Sequence, residues 1–177
     1  MRRTLVLGGA RSGKSAHAEG LLSDEPAIYV ATARRDPSDA EWTERIAEHE
    51  RRRPSTWDTV EAPTTDTLVE ALRHTGNPLL VDDLTTWLAG AMDDASVWDG
   101  GADELAAMRA ERDRVLQAIT ACECPLIMVT NEVGLGIVPA TRSGRLFRDE
   151  LGWLNAAVAE RCTDVLLMVA GIQLRLR

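Results

Sequence analysis

Gly8-Gly9-Ala10-Arg11-Ser12-Gly13-Lys14-Ser15 fits the phosphate-binding loop pattern G-x-x-x-x-G-K-S/T. Lys14 is the only lysine in the 177 residues, and the other positively charged side chains are arginine. A compact ammonium on a flexible stem reaches β- and γ-phosphate oxygens in a way that a broad planar guanidinium does not. Around the loop, Thr4 to Leu7 is a short apolar run and Ser15 to Leu22 reads as a helix, so the context is strand, loop, helix. In such a unit the loop N–H groups wrap phosphates, the helix start adds partial positive charge, and the Ser15 hydroxyl is a ligand for Mg²⁺.

Working outward, short apolar runs alternate with helical patterns, the sequence form of a parallel sheet flanked by helices. The strands expected are Thr4 to Leu7, Ala27 to Ala31, Leu79 to Val81, Leu126 to Thr130 and Val165 to Val169. Alternation over Ile172 to Leu176 predicts a half-exposed, antiparallel edge strand at the C-terminal side. Helices are expected over Asp39 to Arg53, Asp66 to His74, Leu84 to Met92, Glu104 to Ala121 and Ser143 to Arg161. Asp93 to Gly101 reads as a loop. The fold class is α/β and P-loop NTPase-like, with residues 1–177 expected as one nucleotide-binding domain.

Composition narrows the partners. A net charge of −8 argues against nucleic acid, which wants a basic face. There is no run of about 18 apolar residues and no apolar leader, so a cytoplasmic protein without an intrinsic membrane segment is expected. Cys122, Cys124 and Cys162 are odd in number, and Cys122-Glu123-Cys124 is not zinc spacing, so neither disulfides nor structural zinc are expected.

Two further stretches bear on chemistry. A phosphate-loop fold needs a carboxylate at the end of a neighbouring strand for the hydrated Mg²⁺, and Leu79-Leu80-Val81-Asp82-Asp83 ends an apolar run in two acids. Asp82 is the choice for the metal; Asp83 is open between a nucleotide role and capping the helix that starts at Leu84. On a helix, Trp42, Ile46, His49 and Arg53 share one face, a seam that begins apolar and ends cationic. An imidazole there could attack an α-phosphorus. On spacing alone, a packed or solvated histidine is the commoner outcome.

Taken together, the loop, Tyr29-Val30-Ala31-Thr32-Ala33, Arg45-Ile46 with His49 and Arg53-Pro54, Val81-Asp82 with Leu84-Thr85, and Thr130-Asn131-Glu132-Val133-Gly134-Leu135-Gly136-Ile137-Val138-Pro139 resemble the bifunctional adenosylcobinamide kinase/adenosylcobinamide-phosphate guanylyltransferase family of cobalamin synthesis. Arg142, Phe147-Arg148-Asp149, Gly152 and Asn155 continue the likeness. The resemblance implies phosphorylation of the aminopropanol hydroxyl of adenosylcobinamide with ATP or GTP. GMP then passes from GTP to the new phosphate through a guanylylated histidine, which matches His49. It implies GTP contacts from Gly8 to Ser15, from Thr32, Ala33 and Arg34, from Glu50, Arg51, Arg52 and Arg53, from Glu61, and from Asp82 and Asp83. It also implies a homotrimer, a corrinoid substrate, and Lys14 with His49 as the catalytic pair. Glu132 is a candidate proton acceptor in the kinase step, weighed against a structural role. A simple small-molecule kinase and a nucleotide-controlled binding module are the competing readings. The module is disfavoured because no lysine is left for an Asn-Lys-x-Asp guanine-reading element.

Overall fold

The computed structural model describes residues 1–22, 26–34, 44 and 54–177. Seven strands form one sheet: β1 (Arg3–Gly8), β2 (Ile28–Ala31), β3 (Asp58–Glu61), β4 (Leu79–Asp82), β5 (Leu126–Asn131), β6 (Asp164–Val169) and β7 (Ile172–Arg175), in the order β3-β2-β4-β5-β1-β6-β7. The first six pair in parallel and β7 runs antiparallel to β6. Parallel neighbours require crossovers, and helices lie in those that the description covers. Among the described residues these are α1 (Lys14–Gly20), α2 (Thr65–Leu72), α3 (Leu84–Asp94), α4 (Ala102–Ala121) and α5 (Arg142–Glu160).

Strand side chains alternate between two apolar layers, as a sheet covered on both faces demands. Leu5, Val30, Leu79, Val81, Met128 and Val165 face the layer that also holds Leu88, Met108, Ile119, Leu151 and Leu154 of the helices. Val6, Tyr29, Leu80, Val129 and Met168 face the layer closed by Ala18 of α1.

The strands and helices expected from the sequence are present within a few residues of their expected ends, with two departures and one region outside the description. Strand β3, not anticipated, pairs with β2 at the sheet edge, its four residues all exposed. Asp82's strand is not beside β1, because β5 lies between them. The helix expected over Asp39 to Arg53 falls outside the described residues, apart from a helical Glu44. The Asp93 to Gly101 loop begins two residues late, since α3 runs to Asp94, and Arg142 holds it by donating to the carbonyls of Trp98 (2.7 Å) and Gly100 (3.0 Å). Among the described residues, no helix is long and apolar enough to cross a membrane.

Candidate active site

The carboxyl ends of the parallel strands gather the phosphate loop, Asp82, Asp83 and Asn131 at one edge of the sheet. The loop leaves β1 at Gly8, where an added Cβ would lie 2.3 Å from Ser12 Oγ and 2.9 Å from the Met168 carbonyl oxygen. Only hydrogen fits there, so the first glycine of the motif is fixed by packing. Gly13, at φ 88°, stands before α1, and Arg11 is held at φ 56°. A contact the sequence did not foretell supports the loop: the Gly171 N–H, from the β6–β7 turn, donates to the Ser12 carbonyl at 3.0 Å.

Ser15 Oγ donates to Asp82 Oδ1 at 3.3 Å, and Tyr29 Oη donates to Asp82 Oδ2 at 2.5 Å. Tyr29 is a functional candidate that residue-by-residue reading missed; its place inside the Tyr29-Val30-Ala31 strand run made it look like core alone. The hydroxyl and carboxylate are hard oxygen donors, and their separation is close to the roughly 3 Å between adjacent ligands of an octahedral Mg²⁺. Among the described residues there is no group of three or more His, Cys, Asp or Glu side chains able to cage a metal. Such a donor set fits an ion held by one or two protein oxygens together with phosphates and water, and Ser15 and Asp82 could supply those oxygens.

Asp83 caps α3, its Oδ1 accepting the Thr85 N–H at 2.8 Å. Its Oδ2 accepts from Asn131 Nδ2 at 2.8 Å. Burial, followed by the charge of Asp82, pushes its carboxyl up to about 6, against the opposing pull of the Thr85 hydrogen bonds and Lys14. The Asp82–Asp83 peptide bond is cis.

The other anticipated residues divide. Thr32 is fully buried, its Oγ1 donating to the Asp83 carbonyl at 2.6 Å and accepting the Asp83 N–H at 2.9 Å, so its side chain serves the Asp83 backbone. Ala33 follows it on the same strand end. The Arg34 guanidinium reaches α3, donating to both oxygens of Asp94 (2.9 and 2.5 Å) and to the Gly90 carbonyl (3.2 Å). Glu61, ending β3, lines a cleft of about 380 Å³ with Val60, Thr67 and Arg73. Glu132 turns its carboxylate onto the Gly134 N–H at 2.5 Å, while its own N–H donates to the Gly8 carbonyl at 3.1 Å. His49, Glu50, Arg51, Arg52 and Arg53 lie outside the described residues.

A glycine-lined loop after β1, a lysine at the start of α1 and a hydroxyl–carboxylate pair across the sheet define a P-loop nucleotide-binding α/β protein. A solved structure of a prototypical ATPase from the type III secretion system of pathogenic bacteria is similar, with a TM-score of 0.57 at 12% identity over 98% of this chain and 56% of that one. At that identity the fold is what is shared. Sequence relatives are nearer. Residues 4–176 match the cobinamide kinase/cobinamide phosphate guanyltransferase family, and the chain belongs to it. It is 42% identical to the bifunctional adenosylcobalamin biosynthesis protein CobP of Pseudomonas aeruginosa, over 99% of this chain and 97% of the relative. It is 40% identical to the bifunctional adenosylcobalamin biosynthesis protein CobU of Salmonella typhimurium, over 98% of each.

Proposed function

We propose that this chain phosphorylates the aminopropanol hydroxyl of adenosylcobinamide with ATP or GTP, and then transfers GMP from GTP to the product through His49, releasing pyrophosphate. The observation that carries this reading is the full-length family match combined with a phosphate loop whose Ser15 faces Asp82 at 3.3 Å. Lys14 and the loop amides would orient the triphosphate, and Ser15 and Asp82 would hold Mg²⁺, with Tyr29 fixing the Asp82 carboxylate. The bound ion supplies charge neutralisation for the phosphates.

In the second reaction the neutral imidazole of His49 attacks the α-phosphorus. An N–P bond forms, the bond from α-phosphorus to the bridging oxygen breaks, and pyrophosphate leaves. A phosphate oxygen of adenosylcobinamide phosphate then displaces the histidine, giving adenosylcobinamide-GDP. Residues 50–53, Thr32 to Arg34, Glu61 and Asp83 complete the nucleotide site in this reading. The homotrimer and the cytoplasmic location belong to the same proposal.

GTP labelled at the α-phosphate tests it. Label should join the protein, survive alkali, be lost in acid and be absent from His49→Ala. Parental labelling of His49→Ala would assign the nucleophile to another residue. Phosphorylation of adenosylcobinamide with no label and no pyrophosphate would leave a simple kinase.

A further inference from the structure

The tip of β5 is tied by a closed ring of buried side chains. Thr130 Oγ1 donates to Asn155 Oδ1 at 2.8 Å, and Asn155 Nδ2 donates to the Asn131 carbonyl at 2.9 Å. The Asn131 N–H in turn donates to Thr85 Oγ1 at 2.7 Å, which lies 3.1 Å from Thr130 Oγ1. Because Thr130 gives its only hydroxyl hydrogen to Asn155, Thr85 is the donor in that last contact. Thr85, Thr130 and Asn155 are all buried. Both peptide groups of Asn131 are thus held by side chains from α3 and α5, and a fully satisfied polar ring of this kind rigidifies what it holds.

What it holds is the Asn131 carboxamide. Asn131 stands opposite Gly8 of the phosphate loop, on the strand between β1 and Asp82's strand. One amide hydrogen goes to Asp83 Oδ2 at 2.8 Å. The other, and Oδ1, make no hydrogen bond among the described residues, and the side chain is half-exposed. A free N–H beside a free C=O complements a hydroxyl, which both accepts and donates. Phosphate oxygens only accept, and Lys14 and the loop amides already serve them.

We propose that Asn131 binds the hydroxyl of the phosphoryl acceptor, with Thr85, Thr130 and Asn155 as positioning residues behind it. This rests on the kinase reading above. The contact is one of binding and orientation: the amide neither takes nor releases a proton, and it brings the attacking oxygen to the side of the phosphate loop nearest Asp82.

Initial rates of adenosylcobinamide phosphorylation, with acceptor and nucleotide varied separately in the presence of Mg²⁺, test the assignment. Asn131→Ala should raise the acceptor KM about tenfold and leave the nucleotide KM within about twofold. Thr130→Val, which keeps the outline and loses the hydroxyl, should shift the same KM in the same direction, and Thr130→Ser should restore it. An acceptor KM in Asn131→Ala within about twofold of the parent, or both KM values rising together, would overturn the inference. Asn131 is half-exposed, so its variant decides the matter even where Thr130→Val does not fold. A parent that cannot phosphorylate adenosylcobinamide overturns the kinase reading and this inference with it; a parent that can, with Asn131→Ala unmoved, overturns the inference alone.

Discussion

Asp83 carries two loads on one carboxylate: it caps α3 and it sits beside Asp82 in a half-buried place. Burial first and the Asp82 charge second raise its carboxyl to about 6, above the roughly 3.9 of a free aspartate. From about pH 4 to about 6, therefore, the folded protein binds a proton that the unfolded chain does not, and unfolding free energy falls as pH rises through that window. Asn at this position keeps an acceptor for the Thr85 N–H and has no charge to desolvate. In metal-free, nucleotide-free protein, the Tm of Asp83→Asn relative to the parent should climb between about pH 4 and 6 and level off above. A difference that is constant with pH would show that this carboxyl titrates normally. The sequence could offer the cap and the site as alternatives for Asp83, because both follow from an acid between a strand and a helix. It could not offer Asn131 as its partner, since 48 residues separate the two. Nor could spacing reveal that Thr32 spends its hydroxyl on the Asp83 backbone.

Between elements, α4 and α5 are joined by an ion cluster as well as by the amphipathic faces that predicted them. Phe147, Leu151, Leu154 and Val158 do pack as their spacing implies. Beside them, the Glu150 side chain is only 1% exposed, accepting from Arg109 Nη2 (2.6 Å) and Nε (3.1 Å) and, at 3.4 Å, from Arg112. Arg109 also lies over the Trp153 ring at 4.6 Å. A glutamate in a helical pattern reads as solvent-facing, which is why this one was not legible. Strand β3 escaped for a related reason: Asp58-Thr59-Val60-Glu61 buries nothing, and only pairing with β2 makes it a strand. The cluster is asymmetric, because Arg109 is 35% exposed and can turn to water, whereas Glu150 cannot. Arg109→Met should then cost about 2 kcal/mol in urea unfolding, because the buried Glu150 carboxylate keeps only the longer contact to Arg112 at 3.4 Å. Glu150→Gln keeps an acceptor for the guanidinium and should cost about 1 kcal/mol. The reverse order would mean that Glu150 gains water when Arg109 is removed.

At the scale of the whole molecule, the alternation of strand and helix in the chain determined the architecture but not the strand order. No local pattern says that β5 inserts between β1 and β4, and that insertion is what brings Asn131 between the phosphate loop and Asp82. The order also leaves β7 at an edge. Its pairing places Leu174 opposite Leu167 and Ile172 opposite Val169, on the sheet face that carries the larger core. No described helix covers that face this far out: Ile172 is 67%, Leu174 49% and Val169 51% exposed. A run of exposed apolar side chains along an unpaired strand edge is a surface that favours burial against another chain. The proposed homotrimer is therefore predicted to bury β7 at its subunit contact. Light scattering should give three chain masses for the parent and one for Leu174→Glu, with no loss of Tm beyond what dissociation brings, because Leu174 lies outside the core. A Leu174→Glu protein that keeps the parental mass would place the contact on another face.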